Sequence, residues 1–369
     1  MRLHRLLDPL MAPLLAARRR AGKAQGVLLV SAGGLGDTVL FALVLPLFME
    51  LARPGEDVTV LLRADGAKMS FTFPRGVKVR KVDYARLREP GYRFQAARDL
   101  YDAHYRLVVH TDFLRHPDLD EFLVAACRAP ETAAMEPRPS AKHGRRLHAN
   151  RNLYTRLFDS GPAHADKVLR WARFADFLTN RTAPPPPVLL AERPPAHHLP
   201  APTVLFQPFS AVTLKQSPPE LWEMILRALP EGWRVKLAGH PSDLDKNPEF
   251  RRLLDLPGVE FEGAPFDRLA AIIQGCRLVV SVDTACMHLA VALGTPTLCL
   301  ASAAYVGEIV PYAPEITPAN AHFLWQPMEC QGCLGACKFP PERGMYPCVA
   351  ALDADAVLAS VADIIARGV

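Results

Sequence analysis

The stretch that decides the fold is Arg277-Leu-Val-Val-Ser-Val-Asp-Thr-Ala-Cys-Met-His-Leu-Ala-Val-Ala-Leu-Gly-Thr-Pro-Thr-Leu-Cys-Leu300. Its first part, Leu278 to Val282, is a continuous apolar run rich in β-branched residues, which predicts a parallel strand covered on both faces. Apolar residues take helical spacing from Cys286 to Leu293, Gly294 stops the helix, and a second strand is predicted over Thr297 to Ala301. The stretch therefore predicts a β-α-β unit of a doubly wound α/β sheet.

The turn between this strand and its helix is a candidate anion site. In β-α-β units, ligands lie beyond the carboxyl ends of the strands, where the helix N-terminus offers unpaired N–H groups and a partial positive charge. Here that region is Asp283-Thr-Ala-Cys-Met-His288, and it suits a phosphate. The simpler interpretation is that Asp283 and Thr284 only cap the helix.

The same stretch resembles a family signature. It is similar to the Asp-Thr-Gly-x-x-His motif, followed by a small apolar helix and Gly-x-Pro, of glycosyltransferase family 9, the ADP-heptose:lipopolysaccharide heptosyltransferases. Ala285 departs from the motif, and it would be strained if the backbone there required a positive φ. The resemblance implies that the following residues bind the sugar-nucleotide donor: Asp283, Thr284, Ala285, Met287 and His288.

A glycine-rich turn follows the first predicted strand, Val27 to Ser31. The turn is Ala32-Gly-Gly-Leu-Gly-Asp37, and it leads into a helix predicted from Thr38 to about Ala52. Its glycines allow the backbone to come close to a ligand. The spacing is not G-x-G-x-x-G, which disfavours a nicotinamide dinucleotide.

This turn also resembles the family. Gly36-Asp37 followed by Leu45-Pro46 is similar to the Gly-Asp and Leu-Pro pairs that follow the opening strand of family 9 enzymes. The resemblance implies that Asp37 is the catalytic base and that Gly36 contacts the donor. The simpler role of Asp37 is to cap its helix, and the two roles are compatible.

A loop in the second half of the chain carries the other candidate catalytic residue. Thr203 to Gln207 is a predicted strand, and the loop from Pro208 to Pro218 resembles the family loop in which Ser or Thr and then Lys precede a helix. Gln216-Ser217-Pro218 departs from the usual Lys-x-Trp-Pro. The resemblance implies that Lys215 neutralises the diphosphate leaving group, although most lysines are only surface residues. Further candidate donor-binding residues at these strand ends are Ser210, Thr213 and Gly239.

Two α/β halves are predicted on either side of a proline-rich linker. Eight prolines fall between residues 182 and 202, which excludes regular helix or a central strand. The resemblance implies a GT-B fold of two Rossmann-like domains, with residues 26–181 binding the acceptor and residues 203–369 the nucleotide sugar. Its active site would lie in the cleft between them. The last helix, Ala354 to Ala366, is expected to return to the first domain.

Basic residues accompany the strand ends of the first half. The stretch 142–151 is too polar for a core, and a solvated loop is the simpler interpretation. The alternative is a clamp for an anionic acceptor, which in the family is core lipopolysaccharide. The candidate acceptor-binding residues are Arg63, Lys68, Arg145 and Arg146.

Residues 1–25 form a basic amphipathic extension. They are too short and too interrupted to span a bilayer, and their arginines follow the apolar part, unlike those of a signal peptide. We infer a cytoplasmic protein whose extension either lies on an anionic membrane surface or packs on its own domain. The net charge of +5 suits anionic substrates without requiring nucleic acid. The leucines of the helical stripe are Leu3, Leu6, Leu7, Leu10, Leu14 and Leu15.

Half of the eight cysteines fall in one segment, residues 328–349, called here the Cys finger. Tight Cys-x-x-Cys spacing in a cytoplasmic chain favours a structural zinc or iron site over disulfides, and metal-free thiols are the alternative. Autotransporter-adhesin heptosyltransferases, a branch of family 9, carry a comparable finger that holds iron and helps to build an oligomer. The candidate ligands are Cys330, Cys333, Cys337 and Cys348. No catalytic metal is expected.

Together these features predict an inverting glycosyltransferase. It would move a heptose or a related sugar from an ADP-sugar to a hydroxyl of lipopolysaccharide core, a related glycan or an autotransporter protein. Two alternatives stay open: a catalytically silent nucleotide-binding scaffold, which Ala285 and the altered loop at Gln216 would suit, and a nucleotide-sugar epimerase of the same architecture. A homo-oligomer would accompany a metal-bound finger.

Overall fold

The computed structural model describes residues 4–20 and 22–367, which form two compact units. Unit 1 runs to Ala163 and resumes from Val168 to Pro184. Val168 is the second residue of the helix Lys167–Thr179. Unit 2 consists of His164–Lys167 and of the chain from Pro185 onwards. No helix within the described ranges combines the length and the apolar character needed to cross a bilayer.

Unit 1 is an α/β unit built on six parallel strands. The strands are β1 (Val27–Ser31), β2 (Val58–Arg63), β3 (Lys78–Val82), β4 (Leu107–His110), β5 (Glu131–Met135) and β6 (Arg156–Phe158). The helices are α1 (His4–Ala16), α2 (Leu35–Met49), α3 (Pro90–Asp102), α4 (Asp120–Cys127), α5 (Gly144–Ala149) and α6 (Lys167–Thr179). Tight 3-10 turns lie at Gly66–Thr72, Arg86–Arg88 and Asn150–Leu153.

Unit 2 repeats this plan with six further parallel strands. The strands are β7 (Thr203–Gln207), β8 (Arg234–Ala238), β9 (Val259–Glu262), β10 (Leu278–Val282), β11 (Thr297–Leu300) and β12 (Ala321–Leu324). The helices are α7 (Pro219–Ala228), α8 (Pro241–Lys246), α9 (Phe266–Gly275), α10 (Ala285–Ala292), α11 (Pro347–Ala350) and α12 (Ala354–Ala366). Tight 3-10 turns lie at Thr213–Lys215, Pro248–Asp255 and Ala303–Tyr305.

Both sheets have the same strand order. Unit 1 has the order β3-β2-β1-β4-β5-β6, and unit 2 has β12-β11-β10-β7-β8-β9, which is the same connectivity read from the other edge. In such sheets the chain reverses its direction of winding between the first and fourth strands, and ligands bind outside the carboxyl ends at that switch point. The switch points lie between β1 and β4 in unit 1 and between β7 and β10 in unit 2.

The elements at the switch points are apolar because they are covered on all sides. Strands β1, β4, β7 and β10 are buried along their whole length. All eight residues of α10 are buried, as are nine residues of α2. A helix that is apolar all round is typical of a fully enclosed position. The predicted stop of α10 is confirmed, since Gly294 follows it with φ of +83°.

The N-terminal extension packs on its own unit, which is one of its two predicted alternatives. Asp8 on α1 makes two hydrogen bonds of 2.6 Å to the guanidinium of Arg93, which is fully buried on α3. Leu15 is buried in a cluster with Ala97 and Tyr101. The predicted leucine stripe is only partly described, because Leu3 and the side chains of Leu6, Leu7 and Leu10 lie outside the described residues.

Several boundaries differ from the predicted ones. The segment 142–151 was expected to be a solvated loop, but it contains α5 because its polar side chains find buried carboxylate partners in unit 1. Strands β5 and β6 were not predicted, since Glu131–Met135 and Arg156–Phe158 are short and only weakly apolar. The proline-rich stretch packs on unit 2 from residue 185, where the amides of Val188 and Leu190 donate to backbone carbonyls.

The expected return of the last helix to the first domain is wrong. Helix α12 packs against α7 and places Val357, Val361 and Ile364 in the core of unit 2. These three residues recur at helical spacing on one face, so burying that face against the sheet of unit 2 satisfies the whole apolar stripe. Helix α6 lies in unit 1 from Val168 onwards.

Candidate functional site

The switch point of unit 1 carries Asp37. Helix α2 begins at Leu35, three residues before the predicted start, because Gly34 is extended and serves as the N-cap. Asp37 is therefore the third helical residue and not the N-cap. Its Oδ2 accepts a hydrogen bond of 2.9 Å from the Gly34 amide. A carboxylate in the first turn is also favoured by the helix dipole, so the position of Asp37 is well defined.

Close packing explains why a glycine is needed at position 33 of this turn and at position 66 beside it. A Cβ atom added to Gly33 would lie 2.4 Å from the Cβ and 2.8 Å from the Oδ2 of Asp37. A Cβ added to Gly66 would lie 2.8 Å from the hydroxyl of Thr38 and 3.0 Å from the carbonyl oxygen of Gly33. Separations below 3 Å exclude any side chain without a shift of the neighbours. Gly33 thus allows the Asp37 carboxylate to fold back onto its own turn, and Gly66 allows its own backbone to pack closely on that turn.

A buried polar network follows β4 at the same edge of the sheet, and sequence reasoning missed it. The Asp112 carboxylate accepts the amide N–H of Ala32, which connects the two sides of the switch point. The buried pair Arg115 and Glu121 is joined at 3.0 Å. Alternating charged residues directly after an apolar strand were the available signal. The members of the network are His110, Asp112, Arg115, Asp118, Asp120 and Glu121.

The network leaves some polar atoms without a partner. Oδ1 of Asp120 and one terminal nitrogen of Arg115 are buried and have no hydrogen bond within the described residues. Burial, and then the nearby carboxylates of Asp120 and Asp112, raise the pKa of the Tyr84 phenol well above its usual value. The region is therefore a buried polar floor at the same sheet edge as the Asp37 turn, and the Tyr84 phenol stays protonated there.

The candidate acceptor-binding residues lie on both sides of β1 in unit 1. Arg63 ends β2 and makes an exposed ion pair with Asp65 at 2.9 Å, while Lys68 is exposed on the following turn. Arg145 is exposed on α5. Arg146 is different, because both of its terminal nitrogens bond the buried carboxylate of Asp118. Arg146 is thus held in place by the fold, whereas Lys68 and Arg145 reach solvent.

The switch point of unit 2 brings Lys215 and Asp283 together. Lys215 Nζ donates to the carbonyl oxygen of Asp283 at 2.8 Å and to its Oδ2 at 3.0 Å. The side chains of Lys215 and Asp283 are only 12% and 4% exposed, so the pair is sheltered from solvent. The ring of Tyr305 lies 4.7 Å from the same ammonium nitrogen. An ammonium has three N–H donors, and the bonds to Asp283 account for two of them.

The N-terminus of α10 lies next to this pair, because Asp283 directly precedes the N-cap residue. Thr284 is its extended N-cap and makes no capping hydrogen bond with its side chain. Ala285 is the first helical residue and is absent from the residues with positive φ, so its expected strain does not arise. The side chain of Met287 is fully buried, which leaves only its backbone amide to meet a ligand. The first amides of a helix lack intrahelical acceptors, which makes this end a suitable anion site.

His288 is built into the core of unit 2. It is 4% exposed, and its Nδ1 lies 2.7 Å from the hydroxyl of Tyr312. That hydroxyl also contacts the sulfur of Met287 at 3.7 Å. The donor-binding role of His288 stays a prediction, and the contact with Tyr312 fixes the orientation of its ring.

The remaining donor candidates lie in loops at the same edge. Ser210 and Thr213 belong to the loop after β7, in which the amide of Val212 donates to the Ser210 hydroxyl at 3.2 Å. Gly239 directly follows β8, and a Cβ added there would lie 2.7 Å from the ring of Phe209. The conformation of the β7 loop therefore depends on a glycine at position 239.

The four finger cysteines form no complete metal site. All eight cysteines are free, and the sulfurs of Cys330 and Cys337 lie 3.9 Å apart. Two thiolates on one tetrahedral zinc would be about 3.8 Å apart, so this pair fits a metal. Nowhere in the described part of the chain, however, do three or more His, Cys, Asp or Glu side chains gather so as to hold an ion. Burial raises the pKa of Cys276 and Cys286 to about 12, which agrees with inert thiols.

Comparison with known proteins shows that this chain is similar to glycosyltransferases. Residues 171–336 match the model of glycosyltransferase family 9 (heptosyltransferase), and no curated protein matches the sequence. A family 9 glycosyltransferase structure from Veillonella parvula is 16% identical, covering 94% of this chain and 98% of that chain with a TM-score of 0.68. E. coli heptosyltransferase WaaC with ADP-2-deoxy-2-fluoro heptose is 19% identical, covering 91% and 99% with a TM-score of 0.65.

A third structure shares the fold more distantly. Dodecameric iron-containing heptosyltransferase TibC, from enterotoxigenic E. coli, is 11% identical, covering 94% of this chain and 77% of that chain with a TM-score of 0.53. The two α/β units, each with a parallel sheet, and these likenesses show a GT-B-type fold, and the family match supports glycosyltransferase activity. The match of residues 171–336 to the model of glycosyltransferase family 9 (heptosyltransferase) confirms the predicted resemblance to that family.

Proposed function

We propose that the protein is an inverting glycosyltransferase that moves a heptose, or a closely related sugar, from an ADP-sugar to an acceptor hydroxyl. The observation that carries the proposal is the sheltered contact of Lys215 with Asp283 at the mouth of α10. A cation and a helix N-terminus at one switch point form a site for a diphosphate.

Unit 2 would hold the donor. The diphosphate would accept hydrogen bonds from the first amides of α10 and from the remaining N–H of Lys215, while Thr284 lines the entrance. Negative charge grows on the diphosphate as the bond to the sugar breaks, and fixed donors stabilise it more in the transition state than in the ground state. Neutralisation of the leaving group is thus assigned to Lys215 and the helix.

Unit 1 would supply the base. The acceptor oxygen attacks the anomeric carbon, the bond from that carbon to the diphosphate oxygen breaks, and ADP leaves with the electron pair. Asp37 takes the proton of the attacking hydroxyl, which it must approach within hydrogen-bond distance. The Gly34 amide donates to one carboxylate oxygen of Asp37 and fixes the carboxylate in the first turn of α2.

The test of this proposal is the variant Asp37→Asn. The asparagine oxygen can still accept the Gly34 amide, so α2 keeps its start while the base is lost. We expect sugar transfer to fall by about 100-fold or more, with ADP affinity unchanged by calorimetry. Transfer at the wild-type rate would show that the base lies elsewhere. ADP affinity that falls with transfer would point to a structural defect.

The donor and acceptor are proposed from the relatives. WaaC was solved with an ADP-heptose analogue and TibC with ADP-D-β-D-heptose, so ADP-heptose is the first donor to assay against UDP- and GDP-sugars. Exposed Lys68 and Arg145 suit an anionic acceptor, such as a lipopolysaccharide core, better than the ion-paired Arg146 does. An ADP-sugar and an inner-core acceptor would place the reaction on the cytoplasmic side of the inner membrane.

We also propose that the Cys finger takes up a structural metal. Cys330 and Cys337 are correctly spaced, and Cys333 and Cys348 would complete a tetrathiolate site on binding zinc or iron. Four thiolates leave no coordination position for substrate, so the metal would stabilise the finger and, as TibC suggests, an oligomer. Metal analysis of protein purified without chelator should give about one ion per chain. A metal-free protein with four reactive finger thiols would contradict this.

A further inference from the structure

The ammonium of Lys215 is held from two directions. Asp283 accepts two of its hydrogen bonds, and the ring of Tyr305 lies 4.7 Å from Nζ. An aromatic ring within about 6 Å of a cation attracts it through the ring quadrupole. Tyr305 ends the short turn Ala303–Tyr305 that follows β11, so its placement depends on what holds that turn.

The Cys finger holds this turn. The amide of Gly332 donates to the carbonyl oxygen of Ala303 at 2.9 Å, and the amide of Leu334 donates to that of Ala304 at 2.8 Å. Ala303 also packs with Cys348 in one buried cluster. Two backbone hydrogen bonds and this packing fix the position of the turn relative to the finger.

The finger also approaches the Tyr305 hydroxyl closely. A Cβ atom added to Gly335 would lie 3.2 Å from the hydroxyl oxygen of Tyr305 and 3.3 Å from that of Tyr346. Gly335 has φ of +86°, a conformation that favours glycine. The finger backbone therefore packs directly on both phenols.

The same segment anchors the loop that carries the lysine. The amide of Tyr346 donates to the carbonyl oxygen of Leu214 at 2.8 Å, one residue before Lys215. Leu214 packs against a buried cluster that includes Ala303, Met345 and Tyr346. The loop after β7 and the turn after β11 thus meet on one support, the finger.

We propose that the Cys finger is a positioning element of the donor site and that Tyr305 is the positioning residue through which it acts. The finger sets the Lys215 loop and the Tyr305 turn, and together with Asp283 they hold the ammonium where the donor diphosphate arrives. This inference rests on the proposed donor site of unit 2. It gives the finger a task inside each chain, separate from any part in assembly.

The test compares Tyr305→Leu with Tyr305→Phe. The leucine removes the ring, whereas phenylalanine keeps it and loses only the hydroxyl. We expect Tyr305→Leu to weaken ADP binding by about fivefold to tenfold and to lower kcat/KM for the donor by at least the same factor. Tyr305→Phe should restore most of the affinity. The control is Phe339→Leu, which removes an aromatic ring from the finger that contacts Lys338 and not Lys215.

A second variant examines the anchor from the other side. Leu214→Ala removes the side chain that packs on the finger and should also weaken ADP binding, while size-exclusion chromatography shows the wild-type oligomeric state. If Tyr305→Leu and Leu214→Ala both bind ADP as the wild type does, the inference is overturned and the donor site stands. If the wild type binds no nucleoside diphosphate at all, the proposed function fails and this inference fails with it.

Discussion

Single residues at the two switch points show why the turns have their sequences. Gly33 is needed because the Asp37 carboxylate occupies the space where a Cβ would be, whereas Gly34 has nothing within 4 Å of that position. Two adjacent glycines of the same turn thus have different roles. Sequence spacing alone cannot separate them, because the difference lies in where a neighbouring side chain folds.

This contrast gives a prediction with a matched control. Gly33→Ala should displace the Asp37 carboxylate and lower kcat by about 10- to 100-fold, because a base misplaced by about 1 Å loses its alignment with the attacking hydroxyl. Gly34→Ala should stay within about threefold of the wild type. Steady-state kinetics with varied acceptor measure both. Equal losses in the two variants would show that the turn as a whole, and not the placement of Asp37, matters.

The sequence suggested backbone strain at Ala285, and the structure shows none. The family motif has glycine there, and a positive φ would have been costly for alanine. Ala285 instead starts α10 with ordinary helical geometry. The scaffold alternative therefore loses one of its two supports. The other, the departure at Gln216, lies in a loop whose lysine still reaches Asp283.

Among the elements, the buried ones were predictable and the polar ones were not. Strands β1, β7 and β10 are continuous apolar runs, so both their type and their boundaries followed from the sequence. Strand β5 and helix α5 depend on tertiary partners. The position of α5, for example, is fixed by the ion pair of Arg146 with Asp118, and no local pattern encodes such a pairing across 28 residues.

The buried ion pair of Glu56 with Arg106 gives a prediction on the stability of unit 1. The hydrogen bond from Arg106 lowers the pKa of the Glu56 carboxyl to about 2, and both side chains are only 8% exposed. A carboxyl with a lowered folded pKa stabilises the protein above its unfolded pKa, and this contribution is lost as the pH falls towards 2. Glu56→Gln should therefore destabilise unit 1 by roughly 3 kcal/mol at neutral pH and flatten this acid dependence.

The measurement is urea unfolding, followed by hydrogen exchange in β1 and β4. Asp57→Asn is the control, because Asp57 and its partner Lys78 are 59% and 62% exposed and such pairs contribute at most about 1 kcal/mol. If Glu56→Gln cost no more than the control, the desolvation of the buried pair would cancel its attraction. The prediction would then be wrong.

For the whole molecule, the repeated topology gives two switch points, to which the proposed function assigns different tasks. Each unit has its own switch point, one with a carboxylate and a buried polar floor, the other with a lysine and a helix mouth. The repeat of the strand order was implicit in the alternating pattern of both halves. The proposed assignment of the nucleotide to unit 2, however, rests on the resemblance and on the placement of Lys215.

Hydrogen exchange with ADP tests this division. We expect ADP to slow exchange in the loop after β7, in the first turn of α10 and in the turn Ala303–Tyr305. Amides of the turn from Ala32 to Asp37 should keep their free-state rates with ADP alone. Mass spectrometry of peptides from each unit measures both. Protection of the unit 1 turn without any change in unit 2 would reverse the proposed assignment.

The sheltered contact between Lys215 and Asp283 has a consequence for selectivity in the cell. Because the Asp283 carboxylate lies beside the ammonium, a small inorganic ion such as free phosphate or sulfate would gain the remaining N–H of Lys215 but would also face a like charge. A nucleotide sugar adds base and ribose contacts that can outweigh this repulsion. The proposed site would thus bind abundant inorganic anions weakly and remain available to a nucleotide sugar, which is less abundant.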